Sequence, residues 1–198
     1  MKQRGLFCVI FITSLICFSF SHAQVGRGRI GIGVSAAGNI LKGDWKTTDP
    51  GYGLSADVSY SLGHNLGILG TLGFDSHGGK TKLEQPTLSN TYQGKLVVTY
   101  DILPLKKVDP FLFAGAGLLF YYPRYEDGAA LIEGNDFTFN SGIGVDIFLN
   151  KSWSVIVMGE AVLTRNDKID GFDDGSYYDA IARVSVGVRY NLFDKLSR

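Results

Sequence analysis

Hydrophobic and polar residues alternate one by one along most of this chain. In the segment 51–63, apolar residues occupy every second position from Tyr52 to Leu62, and Gly, Ser and Asp lie between them. Because successive side chains of a β-strand point to opposite faces, such a segment forms a strand with one apolar and one polar face. This period predicts eight strands, at 28–38, 51–63, 66–76, 90–102, 110–122, 136–149, 153–165 and 178–192. No segment after residue 23 has the 3.6-residue apolar period of a helix, so the predicted class is all-β.

The predicted connections alternate between short and long. Short connections are predicted at 63–65, 103–109 and 150–152, and longer polar ones at 39–50, 77–89, 123–135 and 166–177. Short turns on one side and long loops on the other are typical of outer-membrane barrels. The pattern therefore predicts an eight-stranded antiparallel up-and-down transmembrane β-barrel with both chain ends on the short-turn side.

The polar face decides whether the apolar face lies inside or outside. It is rich in Gly, Ser and Thr, whereas a soluble barrel needs a dense coat of long charged side chains. Small residues with a few charges suit the lumen of an eight-stranded barrel, which side chains must fill. The charges predicted to form a lumen network are Asp57, Lys95, Asp101, Asp146, Glu160, Arg183 and Arg189. Such a network either fills and stabilises the lumen, the interpretation we favour, or lines an ion path.

Aromatic residues of the apolar face cluster near the predicted strand ends. Aromatic girdles at both membrane interfaces are typical of barrels in the outer membrane. The predicted girdle residues are Tyr52, Tyr60, Tyr100, Tyr122, Trp153 and Tyr190. We therefore expect the apolar face to contact outer-membrane lipid. The alternative explanation is the general preference of aromatic residues for strands.

The N-terminal residues predict a secretory signal peptide. Lys2 and Arg4 precede an apolar run at 6–20, and small residues flank His22 at a plausible cleavage site after Ala23. The run is shorter than the about 20 apolar residues that a membrane-spanning helix needs. We expect cleavage of residues 1–23 and a single barrel domain over 24–198.

Cleavage changes the composition in two respects. Both cysteines of the chain would be removed, which leaves no disulfide. Of 19 basic and 19 acidic residues, two basic ones would be lost, and the net charge of about −2 gives no reason to expect nucleic-acid binding.

Two segments carry a resemblance to a known family. The end of the chain, Gly187 through Tyr190 and Leu192 to Phe193, resembles the terminal-strand signal read by the barrel-assembly machinery. The segment 110–117 (PFLFAGAG) is similar to the fifth strand of small barrels of the outer membrane protein A-like, "outer membrane protein beta-barrel domain" superfamily. The resemblance implies a protein of the Gram-negative outer membrane that uses the assembly machinery during biogenesis. It implies no peptidoglycan-binding domain, since six residues follow Leu192.

Residues for other chemistry are few. His64 falls in a predicted turn, and Ser76 and His77 are adjacent on a strand and would point to opposite faces, so we expect no catalysis. The last long loop carries Asp167, Asp170, Asp173, Asp174 and Asp179. Their spacing does not match an EF-hand, so we expect a solvated acidic loop and predict no metal or cofactor. Calcium binding by this loop stays open as an alternative.

The sequence thus predicts a non-enzymatic outer-membrane barrel, structural or binding an extracellular ligand through four long loops. Two alternatives stay open. One is a narrow channel for ions or small solutes, and the other is a soluble periplasmic barrel that binds an apolar ligand.

Overall fold

Eight long strands make up nearly all of the described chain. The computed structural model describes residues 28–43, 45–81, 84–104, 106–129, 131, 133–165, 169 and 179–192. The strands are β1 (Ile30–Lys42), β2 (Thr47–Gly63), β3 (Leu66–Lys80), β4 (Pro86–Asp101), β5 (Val108–Tyr125), β6 (Gly134–Phe148), β7 (Trp153–Thr164) and β8 (Ala180–Asn191). The predicted signal peptide lies outside the described residues.

Each strand pairs antiparallel with its neighbours in sequence, and β1 pairs with β8, so the sheet closes into a barrel. The predicted all-β, eight-stranded up-and-down barrel is confirmed. No helix among the described residues is long and apolar enough to cross a membrane.

Most strands extend further than the sequence predicts. The connections at one end of the barrel, here the turn end, are 64–65, 102–107 and 149–152. Those at the opposite end, here the loop end, are 43–46, 81–85, 126–133 and 165–179, so three of the four predicted long loops are partly strand. The prediction let the second strand begin only after Pro50 and the fifth strand end before Pro123. In the structure, Pro50 lies at a register irregularity of β2, and Pro123 lies beyond the last register pair of β5 with β6. Both positions tolerate a missing N–H group.

The turn between β2 and β3 is a tight hairpin of two residues. His64 and Asn65 both have positive φ angles, 54° and 65°, as a two-residue type I′ hairpin requires. The Asn65 side chain also donates a hydrogen bond of 2.8 Å to the Asp101 carbonyl, which ties this turn to the end of β4.

The outer face of the barrel is apolar. Leu54, Leu72 and Ile143 are 62%, 72% and 64% exposed, and large apolar side chains alternate with inward residues on every strand. A continuous apolar surface of this kind is unfavourable in water and is typical of the lipid-facing band of a membrane barrel. The alternative of a soluble barrel with its apolar face inside is therefore wrong for this chain.

Candidate functional site: the lumen and the two barrel ends

The first group of buried charges lies in the loop-end half of the lumen and joins four strands. The Lys95 ammonium donates to Glu160 Oε1, and Arg183 Nη1 lies 3.7 Å from Glu160 Oε2. Arg183 Nε donates to Asp75 Oδ1 at 3.2 Å, and Arg183 Nη2 donates to Ser55 Oγ at 3.2 Å. Two carboxylates therefore balance two cations in this group, which we call the quartet (Asp75, Lys95, Glu160 and Arg183).

The second group of buried charges lies nearer the turn end and centres on one guanidinium. Arg189 Nη1 donates to Asp146 Oδ2 at 2.9 Å. Arg189 Nε and Nη2 donate to Asp57 Oδ2 at 3.2 and 3.1 Å. This group, which we call the triad (Asp57, Asp146 and Arg189), has one cation for two carboxylates and so carries an excess negative charge.

Glycines of β1 leave the space that the triad occupies. A Cβ atom on Gly31 would lie 2.6 Å from Arg189 Cδ, and one on Gly33 would lie 2.6 Å from Asp57 Oδ1. Both distances are far below van der Waals contact. The alternation of glycine with apolar residues in β1 therefore creates a lumen wall against which the charged side chains pack.

Two clusters of buried apolar side chains share the lumen with these charges. The cluster at the loop end consists of Leu41, Trp45, Leu119, Tyr121, Val162, Ile169 and Ile181. The cluster in the turn-end half consists of Leu69, Val97, Phe111, Phe113, Ile156 and Met158. With the ion pairs between them, these side chains fill the barrel interior, as expected for eight strands.

The structure places all seven residues of the predicted lumen network on the inner face, but it does not join them into one network. Six belong to the quartet or the triad. Asp101 is half-buried at the turn end and forms no ion pair among the described residues.

Sequence reasoning missed several lumen residues. Asp75 of the quartet lies on the polar face of β3 and could have been found from the period-two pattern. Asp109 falls just before Pro110, outside the predicted strand bounds, yet it is buried on β5. The inner apolar residues of β5 and β7 lie within runs such as 155–158, where both faces are apolar and alternation gives no signal.

The predicted girdle residues lie at both ends of the barrel. Tyr60, Tyr100, Trp153 and Tyr190 are near the turn end, whereas Tyr52 and Tyr122 are near the loop end. The Trp153 and Tyr190 ring centroids are 4.9 Å apart on β7 and β8. The prediction missed Tyr92, whose ring lies 5.9 Å from Tyr122 and 5.2 Å from Phe74, so that an aromatic cluster covers three adjacent strands near the loop end.

The residues of the predicted assembly signal lie on the last strand and just beyond it. Gly187 faces inward and packs against Ser35 of β1. Tyr190 faces outward, and Leu192 follows the end of β8 and is exposed. Phe193 lies outside the described residues.

The structure describes some of the residues that were considered for hydrolytic or metal chemistry. His77 is buried and lies 3.3 Å from Thr91 Oγ1, and no hydrogen bond to Ser76 is formed. The described part of the chain contains no group of three His, Cys, Asp or Glu side chains that could hold a metal ion. Of the acidic-loop residues, 167, 170, 173 and 174 lie outside the described residues, and Asp179 is buried, with its Oδ2 accepting the Ile169 N–H at 2.7 Å.

A closed eight-stranded barrel with an apolar exterior, aromatic residues at both ends and a charged interior defines the class of small transmembrane barrels. Residues 10–191 match the profile of the outer membrane protein beta-barrel domain family, and the chain belongs to that family.

Solved structures of other outer-membrane proteins share the fold. Neisserial surface protein A is 13% identical, with a TM-score of 0.61 over 84% of this chain and 100% of that one. Ail, the attachment invasion locus protein of Yersinia pestis, is 13% identical, with a TM-score of 0.57 over 84% of this chain and 99% of Ail. OprG from Pseudomonas aeruginosa is 11% identical, with a TM-score of 0.57 over 85% of this chain and 97% of OprG. Among curated proteins, no sequence is similar enough to count as a relative.

Proposed function

We propose that this protein is a closed, non-enzymatic outer-membrane barrel that binds an extracellular ligand at its loop end. In this proposal the turn end faces the periplasm, after a signal peptide has directed the chain across the inner membrane and the barrel-assembly machinery has inserted it. The barrel serves as a rigid membrane anchor for the binding surface. The filled lumen is the observation that carries the proposal.

The lumen supports a binding protein better than a diffusion pore. The loop-end cluster contains the fully buried residues Leu41 and Ile169, and the quartet lies further inside. A solute would have to displace the apolar side chains and then separate buried ion pairs. Removing one partner of such a pair costs about 3–5 kcal/mol, so the closed state is strongly favoured.

A groove at the loop end is the best candidate for the binding surface. Its volume is about 420 Å³, and it lies between the loop-end segments of β2 to β5 and the connection that follows β5. Lys80 and Arg124 provide cations, Asp49 and Glu126 provide carboxylates, and Tyr125 provides an aromatic ring. This mixture suits a ligand with several hydrogen-bonding groups and an apolar face, such as a carbohydrate or a peptide.

The fold relative Ail offers a useful comparison for the ligand. One of its structures is a complex with the heparin analogue sucrose octasulfate. In the groove of this protein, two carboxylates lie beside the two cations, so a polysulfate would meet repulsion as well as attraction. We therefore expect heparin to bind less well than neutral glycans or peptides.

The test is a binding screen with the folded barrel in lipid nanodiscs. The nanodiscs are applied to arrays of neutral glycans, peptides and heparin, and the signals are compared with those of an Arg124→Ala, Tyr125→Ala double variant. Lys107→Ala removes an exposed cation at the opposite end of the barrel and is the matched control. We expect a signal that the double variant loses and the control retains. Equal signals from all three proteins would contradict binding at the groove.

A narrow ion conduit is the second candidate, because Glu160 lies between two cations, Lys95 and Arg183, and the lumen contains charges of both signs. Planar-bilayer recordings separate the two functions. A closed anchor gives no stable channel, whereas a conduit gives discrete currents that Glu160→Gln changes. Stable wild-type channels would reject the closed-lumen mechanism.

A further inference from the structure

A small cavity lies at the turn end of the lumen, at the opposite end of the barrel from the groove. Its volume is about 80 Å³. The lining residues Arg29, Asp101 and Pro104 are only half-buried, so the cavity is open to the solvent at this end. An enclosed water needs about 10–15 Å³ on this measure, so the cavity has room for a group of several non-hydrogen atoms.

Three carboxyl groups on adjacent strands line this cavity: Asp101 of β4, Asp109 of β5 and Asp146 of β6. Asp109 and Asp146 are direct partners in the β5–β6 register, and both are buried. Like charges directly opposite each other destabilise a sheet. A cation between these side chains would remove that repulsion.

Two described residues that line this cavity each have a buried polar atom without a hydrogen-bond partner. Arg189 donates a hydrogen bond to Asp146 Oδ2. The other carboxylate oxygen, Asp146 Oδ1, has no hydrogen-bond partner, and the residue is only 8% exposed. Asp109 Oδ1 accepts the backbone N–H of Leu103 at 3.1 Å, and the Arg29 guanidinium lies 5.1 Å from the centroid of the Phe148 ring. The Asn191 amide nitrogen is also buried without a partner.

Among the described residues, carboxyl groups outnumber guanidinium groups around the cavity. Four carboxyl groups, those of Asp57, Asp101, Asp109 and Asp146, lie with two guanidinium groups, those of Arg29 and Arg189, whereas the described lysines of this end, Lys106, Lys107 and Lys151, are exposed and do not line the cavity. Counted over these six side chains alone, each in its ordinary charge state, the charge is −2. Burial makes this excess costly, because the protein interior screens charge poorly.

The walls of the cavity indicate which kind of cation would fit. The described carboxylates are not arranged to hold a bare metal ion. Leu69, Phe111 and Phe148 form apolar walls next to the acidic groups. A primary ammonium has three N–H donors on an alkyl chain, which matches three acceptors beside an apolar wall.

We propose that this turn-end cavity binds a primary alkylammonium group. The ammonium donates to Asp101, Asp109 and Asp146, and the adjoining methylene groups pack against Phe111 and Phe148. This site is independent of the proposed loop-end ligand, because it lies at the other end of a filled lumen. Its ligand is either a free amine or a lysine side chain of another protein, and the two share the same chemistry.

The test measures binding to the full-length barrel, folded in a zwitterionic detergent at pH 8, by isothermal titration calorimetry. n-Butylammonium chloride is the probe, with sodium, magnesium and tetramethylammonium chlorides at equal ionic strength as controls. We expect saturable binding of n-butylammonium alone, because tetramethylammonium has no N–H donor. Equal heats from sodium, magnesium or tetramethylammonium would overturn the proposal.

Variants locate the site. Asp109→Asn should weaken n-butylammonium binding by about ten- to a hundredfold, the value of one charge-assisted hydrogen bond. Asp136→Asn, a buried aspartate on β6 near the loop end, is the matched control and should leave binding unchanged. Asp101→Asn, at the half-buried rim, makes the same test if Asp109→Asn fails to fold. Wild-type affinity in a folded Asp109→Asn or Asp101→Asn variant would reject the site.

A second probe identifies the source of the ammonium group. N-acetyl-lysine methylamide presents the same group on a peptide backbone. Binding as tight as that of n-butylammonium would show that the site accepts a lysine side chain on a peptide backbone, and much weaker binding would restrict it to free amines.

Discussion

Replacement of Glu160 by Gln is the sharpest test of how the lumen is held together. Glu160 is 8% exposed and contacts both Lys95 and Arg183. Glutamine keeps the shape of the side chain and removes only its charge. The substitution leaves two buried cations, of which Arg183 keeps Asp75, whereas Lys95 loses the one ion-pair partner that it has among the described residues.

The contacts of Glu160 and Lys95 predict which substitution lowers the free energy of unfolding more. Breaking a buried ion pair costs about 3–5 kcal/mol, and Glu160→Gln should lie near the top of that range because it unbalances two cations. Lys95→Met should lie near the bottom, because Glu160 still has Arg183 at 3.7 Å. The double variant should cost less than the sum of the two single changes by about 1–3 kcal/mol, since the second change removes the charge that the first left unpaired.

The assay is reversible urea unfolding of the barrel in lipid vesicles, followed by tryptophan fluorescence and by the mobility of unheated samples on a detergent gel. Additive costs, or a Lys95→Met change as costly as Glu160→Gln, would refute the view that Glu160 is the shared centre of the quartet.

Three further predictions follow from the packing. Gly142→Ala should destabilise the barrel by about 1–3 kcal/mol, since its Cβ would clash with the backbone oxygen of Gly159 and lie 2.6 Å from Phe113 Cζ, whereas Gly159→Ala on the neighbouring strand has open space and should change stability by less than about 0.5 kcal/mol in the same assay. Leu72→Arg, on the lipid face, should cost about 2–4 kcal/mol if that position lies at the bilayer centre, and a folding yield equal to wild type would contradict a lipid-facing position. Trp153→Ala should cost about 0.5–1.5 kcal/mol beyond its lost buried area, read from urea midpoints, because it removes the ring contact with Tyr190.

The period-two pattern was enough to predict the class of fold, the number of strands and the orientation of the faces. Each strand pairs with its two neighbours in the closed barrel, so local alternation and the global fold agree. Strand bounds were less accurate near the loop end, where proline and glycine occur within strands. Pro123 shows why: it lies in β5 beyond the ladder with β6, so its missing N–H disturbs no pair on that side.

The lumen was predictable as a surface but not as a set of contacts. Alternation places Asp57 and Arg183 on the inner face, yet it gives no information on which partner lies across the barrel. The Arg189–Asp57 pair joins residues 132 positions apart, and only the register around the closed barrel brings them together. The apolar residue Phe111 was missed as a lumen residue because it lies in a run that is apolar on both faces.

The arginines of the quartet and of the triad both belong to β8, which has a consequence for how the barrel closes. β8 meets β1 at the seam between the first and last strands. Across that seam lie Asp57 of β2 and Asp75 of β3, which receive Arg189 and Arg183 respectively. In a barrel with an open seam, these two carboxylates would be separated from Arg189 and Arg183, which would keep only Asp146 and Glu160. Pairing of β8 with β1 therefore has two effects at once: it completes the backbone ladder, and it brings the two cations to Asp57 and Asp75, so electrostatics and backbone pairing favour the same closed state.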